Sequence, residues 1–199
     1  ALNKMFEQCE TKYLVPLDCD MVMLHGYLDR IYREIERAKG KRWHSILFPL
    51  WDTLTKEKIL ALKVFNMELM RSIPYKDDAC PDILHYQDME AAGLRSINLF
   101  DEEFIGYHVV RGNYFCYAKY RDLYMVHRAH PQSFMPQHFK GGANIKERAK
   151  RHVEFFKKNF EETGNEDYRY CLAGLVEGLT GVLRFESKDL GDREMRVSV

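Results

Sequence analysis

Residues 100–131, FDEEFIGYHVVRGNYFCYAKYRDLYMVHRAHP, can be read in two ways, and the choice sets the fold class. Ile105–Val110 and Tyr114–Val126 are rich in Tyr and Val, which suits a pair of strands. The punctuation points to helices instead. Asp101, Glu102 and Glu103 form an acidic start cluster, Phe100, Phe104 and Tyr107 fall on one helical face, and Arg111-Gly112 reads as a helix end. Asn113 then caps a further helix running to Pro131. Start and stop signals at successive points outweigh composition, so the expected fold is mainly α, an irregular bundle of about six helices. The alternative is α+β, with strands at 105–110 and 114–126.

Upstream, Leu17, Met21, Leu24, Leu28, Ile31 and Ile35 recur at steps of four and three, which predicts a helix from Leu17 to Lys39. Asp18 and Asp20 sit in its first turn, Arg37 and Lys39 in its last, and Gly40 follows. A second helix is expected over Thr55–Ser72, capped by Thr55 and stopped by Pro74, with Ile59, Leu62, Phe65 and Leu69 on one face. Between them, the apolar Trp43–Leu50 reads as a short helix broken at Pro49. Residues 74–83 read as a loop and mark a sub-domain boundary within a single domain, 1–199.

Downstream, Pro131, Pro136 and Gly141-Gly142 mark a loop, and Asn144 with Glu147 forms a capping box. The helix it opens has Ile145, Ala149, Val153, Phe156 and Phe160 as its inner face. Thr163-Gly164-Asn165 turns the chain into a last helix, Asp167–Thr180, and residues 182–199 alternate as a short hairpin or an extended tail. The stretch Gly174–Val199, with Gly178, Gly181 and Gly191-Asp192, resembles the last helix and strands of the small sensory domains related to vinyl reductases. The cysteines carried by many members of that group are missing there, and no site residue is carried over from it.

Charge is sorted along the chain although the net charge is zero. Residues 77–103 hold eight acids and one base, and residues 104–160 hold eleven bases and three acids together with twelve of the twenty-six aromatics. Cations interleaved with rings suit a contact surface. Arg111, Tyr114, Tyr117, Arg121, Tyr124, Lys150, Arg151, Lys157 and Lys158 are therefore the candidate partner-binding residues, toward other protein subunits, RNA or anionic lipid. Five scattered cysteines without a C-x-x-C pair fit a reducing, intracellular compartment, cytoplasmic or mitochondrial, and neither a disulfide framework nor a zinc knuckle. The start at Ala1 fits Met removal, a trimmed terminus or a cleaved organellar presequence alike.

His127, His130 and His138, with His152, Glu147 or Asp122, would need the loop to fold back to enclose a metal. Arg121 with His127 could position a phosphodiester, and Asp82 with Glu90 and Lys119 could form an acid cluster, but spacings this loose arise by chance. Lys140-Gly141-Gly142-Ala143-Asn144 before a helix is an anion-binding shape without a phosphate-loop signature. Cys116 has Arg111, Lys119 and Arg121 nearby in sequence, though buried cysteines are commonly plain hydrophobes. No residue is assigned to catalysis, metal or cofactor. The expected function is a non-catalytic subunit or adaptor contacting partners through residues 104–160. The alternatives are a small-molecule or haem sensor with His127, His130 or His152 as ligand, and RNA binding.

Overall fold

The computed structural model describes residues 2–76, 81–129 and 145–181. In chain order its elements are α1 (Leu2–Gln8), β1 (Tyr13–Leu14), β2 (Met21–Met23), α2 (Tyr27–Arg37), β3 (Trp43–Asp52), β4 (Glu57–Asn66), α3 (Met67–Met70), α4 (Pro81–Ala91), β5 (Arg95–Asn98), β6 (Gly106–His108), α5 (Asn113–Ala129), α6 (Ile145–Thr163) and α7 (Glu166–Thr180). The fold is α+β, which overturns the mainly α expectation. The chain divides into two compact units, Ala1–Val109 and Val110–Val199.

The first unit is organised by a hairpin where two helices were expected. β3 and β4 pair antiparallel, from Ser45 opposite Phe65 to Asp52 opposite Glu57. Asp52 closes the turn between them: its Oδ1 accepts from the backbone N–H of Leu54 at 2.9 Å and of Thr55 at 2.8 Å, and Lys56 takes the left-handed φ of 58°. Thr55 is thus a turn residue and not a helix cap. The helix-like apolar spacing of 59–69 has a different cause. Leu62 and Val64 pack into one core cluster while Phe65, on the opposite face of β4, packs into another, so burial on both faces erases the period-two signal. Pro49 sits where the register shifts, and its carbonyl accepts from the Ile105 N–H at 3.0 Å, a position at which a strand tolerates proline.

The sheet has six strands, with the order β1-β4-β3-β6-β2 and with β5 also paired to β3. β5 runs parallel to the start of β3 and β6 parallel to its end. Ile31 and Ile35 of α2 and Ala38 just after it cover one face with Trp43, Ile46, Phe48, Leu50, Leu62, Val64 and Ile105. Phe6, Phe65, Met67, Met70, Tyr75, Met89 and Leu94 form the second cluster. The long heptad helix from Leu17 does not exist. Met21–Met23 is strand, the Leu24 N–H donates to the Ile105 carbonyl at 3.0 Å, and Gly26, at φ 78°, turns the chain into an α2 that begins only at Tyr27.

Within residues 100–131 each reading holds for one half. Ile105–Val110 supplies the short strand β6, and 114–126 lies inside α5, not in a strand. The second unit contains α5, α6 and α7 among its described residues. Gly174 and Gly178 bring α7 against the backbone of α5, since a Cβ at Gly174 would lie 2.0 Å from the Tyr117 carbonyl oxygen and one at Gly178 2.4 Å from that of Arg121. Asn165 caps α7 by accepting from the Asp167 N–H, and Gly181, at φ 73°, ends it. Tyr120, Tyr124, Phe156 and Tyr168 fill the space between these helices and α6. The expected terminal hairpin, the 131–143 loop and Asn144 lie outside the described residues. Among those described, no helix is long and apolar enough to cross a membrane.

Candidate functional site

The start of β2, the end of β3 and the end of β6 meet at a polar cluster. His108 Nδ1 lies 2.9 Å from Oδ2 of the buried Asp52, and its Nε2 lies 3.2 Å from Oδ2 of Asp20. Sheet register dictates this meeting, because His108 is paired with Asp52 across one edge and with Met21, the neighbour of Asp20, across the other. Asp52 therefore both shapes the hairpin turn and orients the imidazole, and the imidazole pairs with Asp20, the residue just before the edge strand β2. Asp20 Oδ1 and Thr55 Oγ1 are buried with no hydrogen-bond partner. The sequence signal that could have located Asp52 is the D-T-L-T turn pattern between two apolar runs.

Beyond that anchor, the chain exposes apolar side chains. Five of the seven exposed large hydrophobics among the described residues, Leu17, Val22, Leu24, Leu28 and Tyr32, come from one short segment. In β2 the side chains alternate: Met21 and Met23 pack on the core, and Val22 points off the other face. In α2 the two most exposed, Leu28 at 60% and Tyr32 at 63%, are four residues apart and so form one ridge. At about 100° per residue, this ridge borders the buried Ile31/Ile35 row, and the exposed pair Asp29 and Arg33 forms the next row outward.

The residues expected to bind partners are dispersed. Tyr117 and Tyr124 are buried. The Tyr117 hydroxyl donates to the buried carboxylate of Glu177, and burial, with Glu177 beside it, pushes its pKa up to about 12. Tyr124 Oη lies 2.8 Å from His152 Nδ1, and burial likewise pushes its pKa up to about 12. Arg121 pairs with Asp122 at 2.8 Å and lies over the Tyr117 ring. Tyr114 is half-buried and Arg111 exposed. Lys150, Arg151, Lys157 and Lys158 are exposed on α6, but Glu147, Glu154, Glu161 and Glu162 are exposed on the same helix. Lys150 lies 3.9 Å from Glu154 and Lys158 3.8 Å from Glu162. The basic run is therefore a mixed-charge helix surface, and Tyr117, Tyr120, Tyr124 and Phe156 among the rings between its cations are core.

Other candidates resolve similarly. The His152 ring lies against Tyr120 and Phe156. The His127 side chain, His130 and His138 lie outside what is described. Cys116 and Cys171 are both buried, and burial, with the Cys116 thiol beside it, drives the Cys171 thiol upward, away from thiolate chemistry. His44 is buried with both ring nitrogens unpartnered, its ring edge-on to Tyr86 at 5.7 Å. Tyr86, Glu90, Gly93, Leu94, Arg95 and Ser96 line an open groove of about 470 Å³, which His44 does not itself reach. Among the described residues no three His, Cys, Asp or Glu side chains converge on a metal position. Comparison of the chain with protein-family models, curated proteins and solved structures finds no match.

Proposed function

We propose that the protein is a non-catalytic binding module, a subunit or adaptor of a protein assembly, and that it docks through the outer face of α2. The observation that carries this is the Leu28/Tyr32 ridge, where the two most exposed large hydrophobics sit side by side on a helix held in place by the adjoining buried Ile31/Ile35 row. Single exposed hydrophobics need no explanation, whereas adjacent ones on a rigid element present area that a partner can cover. Burying each side chain fully is worth roughly 1.5–3 kcal/mol, and an aromatic such as Tyr32 is a typical anchor.

A protein partner fits better than RNA or an anionic membrane. The charges flanking the ridge are one acid, Asp29, and one base, Arg33, so the surface lacks the cation excess that phosphates require. The contact surface moves accordingly from residues 104–160 to the first unit. Native mass spectrometry of material isolated from its source tests the reading. The expected result is an assembly that is lost when Leu28→Glu and Tyr32→Glu are introduced together, with circular dichroism unchanged. A solitary monomer in the unsubstituted protein would overturn it.

A further inference from the structure

We infer that the partner is a second copy of this chain, held by antiparallel packing of α2 on α2 of the partner subunit about a two-fold axis. The inference rests on the α2 ridge being the contact surface, and goes beyond it by naming the occupant. It comes from the way charge is distributed on the helix. α2 carries Asp29, Arg30, Arg33, Glu34, Glu36 and Arg37. Arg30 lies 3.8 Å from Glu102, Arg37 lies 2.6 Å from Glu34, and Glu36 pairs with Lys39. Asp29 and Arg33 are the exposed charges left, and neither enters an ion pair among the described residues.

The pattern is self-complementary. Leu28 and Tyr32 form one i,i+4 row, and Asp29 and Arg33 form the row beside it. A two-fold axis crossing the helix near the middle of these rows reverses the order of the second copy. Leu28 then faces Tyr32 of the partner subunit, and Asp29 faces Arg33 of the partner subunit, each contact occurring twice. Rows of i,i+4 side chains are the ridges that interlock in helix packing. Antiparallel alignment also sets the N-terminal end of each helix dipole beside the C-terminal end of the other. An unrelated partner would need to supply apolar and charged groups in this alternation, whereas a second copy supplies them by symmetry.

Sedimentation velocity of the purified full chain, from low micromolar to a few hundred micromolar, tests the inference. A concentration-dependent dimer is expected. Asp29→Arg alone, or Arg33→Asp alone, places like charges opposite each other twice and is expected to weaken the dimer at least about tenfold. The double exchange Asp29→Arg with Arg33→Asp restores it. An equimolar mixture of the two single variants forms a mixed dimer more tightly than either forms alone. Single exchanges that weaken association without rescue by the double variant or the mixture would overturn the pairing, as would a dimer indifferent to both. If the purified chain stays monomeric while the Leu28→Glu, Tyr32→Glu protein loses its native assembly, the second copy is refuted and the docking face stands. If association survives that apolar pair of substitutions, both are refuted.

Discussion

Replacing Gly174 with alanine should destabilise the second unit by about 2 kcal/mol, although the same change in an ordinary helix interior is favourable. The added Cβ would lie 2.0 Å from the Tyr117 carbonyl oxygen, 2.9 Å from its carbon and 3.0 Å from the Arg121 nitrogen. A carbon and an oxygen that are not bonded settle at about 3.3 Å or more, so α7 and α5 must part locally by over about 1 Å. The obstructing atoms are backbone, and no rotamer change relieves them. Overpacking of this kind costs ~1–3 kcal/mol and more when the backbone must move, while alanine recovers about 1 kcal/mol of helix propensity. Gly178→Ala meets the Arg121 carbonyl oxygen at 2.4 Å and the Tyr124 Cβ at 2.7 Å. Because one separation of the helices relieves both clashes, the double variant should lose less than the sum of the singles. Urea unfolding of the full chain, followed by far-ultraviolet circular dichroism, measures each. A Gly174→Ala protein as stable as the parent, or more stable, would refute backbone contact between α5 and α7.

Two further perturbations probe the first unit. Burial, with His85 and Lys63 adding to it, lowers the pKa of His44 from 6.5 to about 4. The unfolded chain then takes up a proton at this imidazole that the folded chain refuses. Stability should fall by about 3 kcal/mol as pH drops from roughly 6.5 to 4 and level off below. His44→Phe removes that part of the slope, so the difference between the two stability curves isolates it, and a difference that does not change with pH contradicts the assignment. Asp52→Ala withdraws the acceptor used by the Leu54 and Thr55 N–H groups and by His108, at a cost of about 2–4 kcal/mol. Asp52→Asn keeps an acceptor for the turn and should lose about half as much. Equal melting temperatures for the two variants would show that the turn bonds carry none of the stability.

Signals that act locally were legible in the sequence, and those set by distant chain were not. Gly164, Asn165 and Gly181 mark real helix boundaries because a left-handed turn or an N-cap is a property of a few consecutive residues. β3 and β4 were misread because Phe65 and Val64 bury opposite faces, leaving apolar residues at helical as well as strand spacing. The stripe from Leu17 to Ile35 matched a heptad only because an extended segment precedes α2 in phase with it. Gly26 within that stripe was the available warning. That misreading hid the candidate site, since Leu28 reads there as one more position in the apolar stripe shared with Ile31 and Ile35. Tyr117 and Tyr124 erred in the opposite direction: their hydroxyl partners, Glu177 and His152, lie far along the chain, so nothing local distinguishes a buried tyrosine from a contact anchor.

Carbene footprinting of the native protein, read at single residues, addresses the α2 face most directly. In dilute protein, or in the Leu28→Glu, Tyr32→Glu variant, the outer face of α2 should label freely. In the associated protein, Leu28, Asp29, Tyr32 and Arg33 should become protected while exposed α6 residues such as Lys157 stay labelled. Unchanged labelling of α2 in an associated state, with protection appearing on α6 instead, would contradict the α2 face as the contact surface.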